Sequence, residues 1–122
     1  MSDNIMELEI KGQRYEFKFG LGFAKEVNGL YQRTDAGMTE DVGLQALIAG
    51  VISGNVIALT QVLDYGNKHK KPRLTPMLLE EYFDDPDTDI DAIFEEVGDF
   101  FERSNAISKT YKAMKSALET LG

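Results

Sequence analysis

The sequence predicts a mainly α fold in which an N-terminal β-hairpin packs on a compact bundle of about five to six helices. Three observations predict it. Apolar and polar residues alternate in Met6-Glu-Leu-Glu-Ile10 and again in Tyr15-Glu-Phe-Lys-Phe19, on either side of Lys11-Gly12. From residue 20 onward, apolar residues recur at three- and four-residue spacing instead of two. A chain of 122 residues, 43% hydrophobic, suffices for one modest core and not for two. The expectation is one domain over 1–122, with the hairpin at 5–19 and helices through 20–121.

In the hairpin, Gly12 can take positive φ, and a two-residue turn pairs Leu8 with Tyr15 and Met6 with Phe17. The same register sets Glu9 opposite Arg14 on the other face. One face is thus apolar and needs helices beneath it. Phe23, Val27 and Leu30/Tyr31 form a first helical stripe, ending near Gly29 or in the polar QRTDAG that follows. Leu44, Leu47, Ile48, Val51 and Ile52 form a second, stopped at Ser53-Gly54. Asn55 is the expected N-cap of a third, with Val56, Leu59, Val62 and Leu63 inward. Thr75-Pro76 starts a short fourth carrying Leu78, Leu79, Tyr82 and Phe83, because threonine caps and proline fits the first turn. Ile90, Ile93, Phe94, Val97, Phe100 and Phe101 define a fifth. Ile107, Tyr111, Met114, Leu118 and Leu121 define the last.

Composition removes several classes of function. Without cysteine there is no disulfide, thiolate metal site or thiol nucleophile, and a single histidine, His69, rules out a His-based metal cluster within one chain. The start MSDNIMELEI lacks the basic and long apolar segments of a signal peptide, and no apolar run is long enough to span a membrane. The expectation is a soluble cytoplasmic protein. A net charge of −8 argues against general nucleic-acid binding, which needs a basic surface. That charge is uneven. Residues 74–102 carry eleven acidic and no basic side chains, between four basic ones in 68–73 and four in 103–122. The plain reading is a solvated face with internal charge pairing.

The acidic segment raises a specific question. Counted from Asp85, carboxylates at Asp85, Asp87, Asp89, Asp91 and Glu96 fall at positions 1, 3, 5, 7 and 12 of a calcium loop. Position 6, which needs glycine, is Ile90, position 8 is Ala92, and no second loop exists to pair with it. Asp87 or Asp89 is better placed to cap the helix that begins there, after Pro86 ends the previous one. Gly20-Leu21-Gly22-Phe23 spells the carboxylate-binding loop of PDZ domains, but it follows a strand and opens a helix, so a tight junction is expected instead. His69 in KHKKPR reads as part of a solvated loop before it reads as a phosphate contact. Glu80, Glu81, Glu95 and Glu96 are expected on surface positions with no nucleophile nearby. No catalytic residue, cofactor site or metal site is assigned, and the chain reads as non-enzymatic.

The stretch MELEIKGQRYEFKFGLGFAKEVNGLY resembles the opening of phage tail assembly chaperones, from long-tailed phages and prophages of Gram-positive bacteria. The helix starting Gly43-Leu44-Gln45-Ala46-Leu47, the KPRLT segment at 71–75 and the acidic IDAIFEEVGDFFERSNA with its basic final helix extend the resemblance over nearly the whole chain. It implies a helper of tail morphogenesis in the host cytoplasm, absent from the mature virion. Such proteins bind the tape measure protein, keep it soluble and help recruit tail tube subunits. Self-association, with neither nucleic acid nor membrane as partner, belongs to the same expectation. Since tape measure proteins are long and helical, a helix-in-groove mode would suit the client.

The surface assigned to the partner is the last helix, through Ile107, Tyr111, Met114, Leu118 and Leu121, with Lys109, Lys112 and Lys115 off that stripe. Its basic flank would dock on the acidic 80–102 band of the same chain or of another copy. Met77 and Met114 offer adaptable packing, with core filling the primary expectation for both. The acidic band motivates a second function class, a small phage or host regulator that blocks a basic or nucleic-acid-binding partner.

Overall fold

The computed structural model describes residues 4–121, the Leu121 side chain excepted, so residues 1–3 and 122 of the expected domain lie outside the described residues. Strands β1 (Ile5–Ile10) and β2 (Gln13–Lys18) pair antiparallel across Lys11-Gly12, whose φ values of 52° and 80° make the tight turn. The register is the expected one: Met6 opposite Phe17, Leu8 opposite Tyr15, Glu9 opposite Arg14. Met6, Ile10, Tyr15 and Phe17 are buried and Leu8 packs at their margin. Period-two patterning and turn chemistry therefore select the same pairing.

Six helices follow among the described residues: α1 (Leu21–Asn28), α2 (Gly43–Ile52), α3 (Val56–Asn67), α4 (Pro76–Asp84), α5 (Ile90–Arg103) and α6 (Ser108–Leu121). Three begin at the expected caps. The side chains of Asn55, Thr75 and Asp89 accept hydrogen bonds from the amides of Ala58, Leu78 and Ala92. Each satisfies one of the amides left free in a first turn. Val56 does not face inward as expected but is 39% exposed. As the first residue of α3 it lies on the solvent side of the turn that Asn55 closes, and Ala58 is buried in its place beside Leu59, Val62 and Leu63. Met77, expected to fill the core, is 71% exposed, because Leu79 takes the inward position of α4.

The polar segment after α1 is not a plain loop within a helical region. It forms a second hairpin, β3 (Gln32–Asp35) and β4 (Met38–Asp41), turned by Ala36 and Gly37 at φ 53° and 80°. All of residues 31–41 are exposed. With no face to bury, the hairpin has no hydrophobic period for the sequence to announce. It is held by cross-strand side-chain pairs: the Thr34 and Thr39 hydroxyls at 2.9 Å, Gln32 with Asp41 at 3.1 Å, and Arg33 with Glu40.

Close backbone approaches hold the helices together. A Cβ on Gly43 would lie 1.9 Å from the Val27 carbonyl oxygen, so no side chain fits where α2 starts against α1. A Cβ on Gly66 would come within 2.5 Å of the Phe19 ring, so α3 needs glycine there to receive the end of the first hairpin. Asn67, the buried polar residue of the core, completes that junction. Its Nδ2 donates to the carbonyls of Glu16 (2.9 Å) and Pro72 (3.1 Å), and its Oδ1 accepts from the Leu74 amide and from Arg73.

Two stability outcomes follow from these contacts, both read by chemical denaturation. Phe17→Ala, emptying a fully buried ring position, should cost about 3–5 kcal/mol. Asn67→Ala should cost about 2–4 kcal/mol, because it strips the partner from three backbone groups, one on β2 and two in the 72–74 loop.

Candidate partner-binding surface

The surface assigned to the partner begins where α5 ends. The Ser104 carbonyl accepts from the amides of Ile107 (3.1 Å) and Ser108 (2.7 Å), which turns the chain sharply into α6. The Ser104 hydroxyl donates to the Phe19 carbonyl at 2.7 Å, so the same residue anchors this turn to the end of the first hairpin. Arg103 covers the Phe100 ring at 4.4 Å beside it. The α6 stripe is therefore fastened at its N-terminal end, and its seat loosens along its length. Ile107 and Tyr111 are buried. The Tyr111 ring packs edge-on to Phe101 at 6.1 Å, and a Cβ on Gly98 would come within 3.1 Å of its hydroxyl. Met114 and Leu118 are half-buried. Leu121 is the last helical residue, and its side chain lies outside the described residues.

The helix lies on α2 and α5. A concavity runs beside it, lined by Val51, Ile52, Phe94, Gly98 and Tyr111 on its apolar side and by Glu95, Asp99 and Lys115 on its charged side. Lys109 and Lys112 are exposed, and Lys115 reaches back to within 5.9 Å of the Tyr111 ring. The basic flank of α6 thus approaches the acidic band at this concavity without bonding to it. Among the described residues, no α6 lysine lies within ion-pair distance of a carboxylate.

Internal charge pairing of the acidic band, expected from the sequence, is correspondingly sparse. Among the described residues only Glu81 of that band is paired, to Lys11 at 2.6 Å. The basic 68–73 segment is engaged elsewhere. Lys68 and His69 both hold Glu26, at 2.7 and 3.0 Å, and Arg73 holds Asp64 at 2.9 Å. Two of the five calcium-loop carboxylates are likewise committed to backbone. Asp85 Oδ1 accepts from the Asp87 amide and Asp89 Oδ1 from the Ala92 amide, which makes the segment a turn and a helix cap. Gly20 is the residue before α1, with Phe23 buried behind it and Leu21 standing 66% exposed.

Electrostatics separates two glutamates. Hydrogen bonds from Lys68 and then His69 hold the Glu26 carboxyl below its ordinary value of 4.5. Glu96, expected on the surface, is half-buried between α4 and α5, where α5 turns it toward Tyr82. Burial, and then the neighbouring Asp99 charge, push its carboxyl above 4.5.

The polar side chains described above serve caps, turns and junctions, and the apolar stripe of α6 is seated only in part beyond Tyr111. A family model described as phage tail assembly chaperone protein, TAC, matches residues 7–115. The chain belongs to the phage tail assembly chaperone family, which is not a known class of enzyme. No curated protein and no solved structure matches the chain. No helix among the described residues is long and apolar enough to cross a membrane.

The two glutamates should respond oppositely to removal of charge. The charged form of Glu26 stabilises the fold above pH 4.5, and this contribution is lost as pH falls through its lowered value. The charged form of Glu96 is penalised at neutral pH, and the penalty is relieved as pH falls through its raised value. Thermal unfolding at pH 7 should therefore show Glu26→Gln lowering the midpoint and Glu96→Gln raising it, with the Glu96→Gln gain fading as the medium is acidified.

Proposed function

We propose that this chaperone binds the tape measure protein in the host cytoplasm, keeps its helical segments soluble, and helps bring tail tube subunits to it without remaining in the virion. The observation that carries the reading is the graded seat of α6: locked by Ile107 and Tyr111 at one end, half-open at Met114 and Leu118. The turns of α6 beyond Tyr111 bury little of their surface, so they can leave without disturbing the rest. Releasing two half-buried side chains forfeits roughly 1–2 kcal/mol for each. A client helix laid on Val51, Ile52 and Phe94 would restore that burial, in the helix-in-groove manner.

The charge supports the same reading. Glu95 and Asp99 of the 80–102 band line the seat, and the chain carries a net charge of −8, so a client coated with many copies would resist aggregation by mutual repulsion. Lys115 of α6 stands at the same concavity, where its charge favours the seated helix when no client is present.

A Met114→Asp, Leu118→Asp double variant tests the site. Co-expressed with a tape measure fragment, the parent should hold the fragment in the soluble fraction, and the variant should lose at least half of that effect while its circular dichroism stays helical. Undiminished solubilisation by the variant sinks the assignment. Global unfolding of the variant would show α6 to be permanent core.

A further inference from the structure

Among the described residues the second hairpin is the one element that buries nothing, and its hydrogen-bonding geometry shows what it has to offer. The Val42 amide donates to the Tyr31 carbonyl at 2.8 Å, directly below the paired residues 32–41. Bonded and non-bonded pairs alternate along an antiparallel ladder. Tyr31/Val42, Arg33/Glu40 and Asp35/Met38 are thus the internally bonded pairs. The amides and carbonyls of Gln32 and Thr34 on β3, and of Thr39 and Asp41 on β4, point outward. Such an edge is a template for another strand.

We propose that the free edge of β3 pairs antiparallel with the β3 edge of a second copy of this chain, about a two-fold axis at Thr34. The edge is complementary to itself. With Thr34 opposite Thr34 of the second copy, the two residues exchange both backbone hydrogen bonds, which their outward amides and carbonyls allow. Arg33 then lies opposite the second copy's Asp35, and Asp35 opposite its Arg33. These are the close, non-bonded positions, where opposite charges interact best. Asp35 has no ion-pair partner among the described residues. Arg33 already meets Glu40, and a guanidinium has donors enough for a second carboxylate.

The edges of β4 and β2 lack this match. Centring β4 on Thr39 sets Met38 against Glu40 and Asp41 against Gly37, with no opposite charges facing. On β2, the outward carbonyl of Glu16 is taken by Asn67. Nothing covers β3, since all of residues 31–41 are exposed. An edge of four residues buries far less than the roughly 1,000 Å² of a stable complex, so the pairing is weak and reversible. It does not depend on which client the chaperone binds.

The test compares two proline variants of the full chain by sedimentation velocity, at concentrations up to about 1 mM. Thr34→Pro and Thr39→Pro each delete one outward amide and one half of the same hydroxyl pair, so they tax the hairpin equally. The parent should dimerise increasingly with concentration, and Thr39→Pro should follow it. Thr34→Pro should weaken the dimer about tenfold or more by removing both central hydrogen bonds, and Asp35→Arg should do the same by opposing like charges. A parent that stays monomeric throughout overturns the proposal. So does an equal loss in both proline variants.

Discussion

Asn67 is the interaction on which the rest of this structure depends. Its amide donates twice and accepts twice, which is everything an asparagine side chain can do. The four bonds reach the Glu16 carbonyl on β2, the Pro72 carbonyl, the Leu74 amide and the Arg73 guanidinium. One side chain at the end of α3 thereby fixes the first hairpin on the helices and folds the 68–74 loop back beneath it. Arg73, held there, bonds Asp64 on α3, and Leu74 enters the core before Thr75 caps α4. A buried polar group of this kind is costly unless fully satisfied, and once satisfied it permits few alternatives.

The second organising contact is aromatic and lies beside the first, where the first hairpin ends. Phe19 meets Phe23 at 5.1 Å and Phe101 at 5.3 Å, both edge-on, and Phe101 meets Tyr111. The chain therefore joins residues 19–23, α5 and the first turns of α6 in one cluster, with Gly66 and Gly98 cleared to admit the rings. This explains why α6 is firm at Ile107 and Tyr111 and looser beyond them: the aromatic cluster ends there. On the proposed function, client exchange would use only the outer turns of α6 and spare those that hold the fold.

Charge and exposure divide the surface in a consistent way. Lys68, His69 and Arg73 of the basic loop pair with Glu26 and Asp64, and the acids of α4 and α5 stay largely without partners among the described residues. The seat of α6 and the second hairpin are chemically different. The seat of α6 offers apolar surface flanked by Glu95, Asp99 and Lys115, whereas the second hairpin offers backbone hydrogen bonds and a balanced pair of charges.

What the sequence determined by itself were the features that are local or periodic. The turn at Lys11-Gly12 and the alternation beside it specify the register of the first hairpin, and Asn55, Thr75-Pro76 and Asp89 specify three helix starts, because each acts within a few residues of itself. The resemblance to tail assembly chaperones was legible for a similar reason, as an order of such local signals. The tertiary structure alone decided the rest. Val56 and Met77 sit on helices with several apolar residues, and only packing selects which of them turn inward. The second hairpin has no buried face and so leaves no hydrophobic pattern. The loosening of α6 arises from where Phe101 and Gly98 stop supporting it, which no spacing along α6 records. Asn67, finally, is one polar residue near a helix end until the fold brings Glu16, 51 positions away, to its amide.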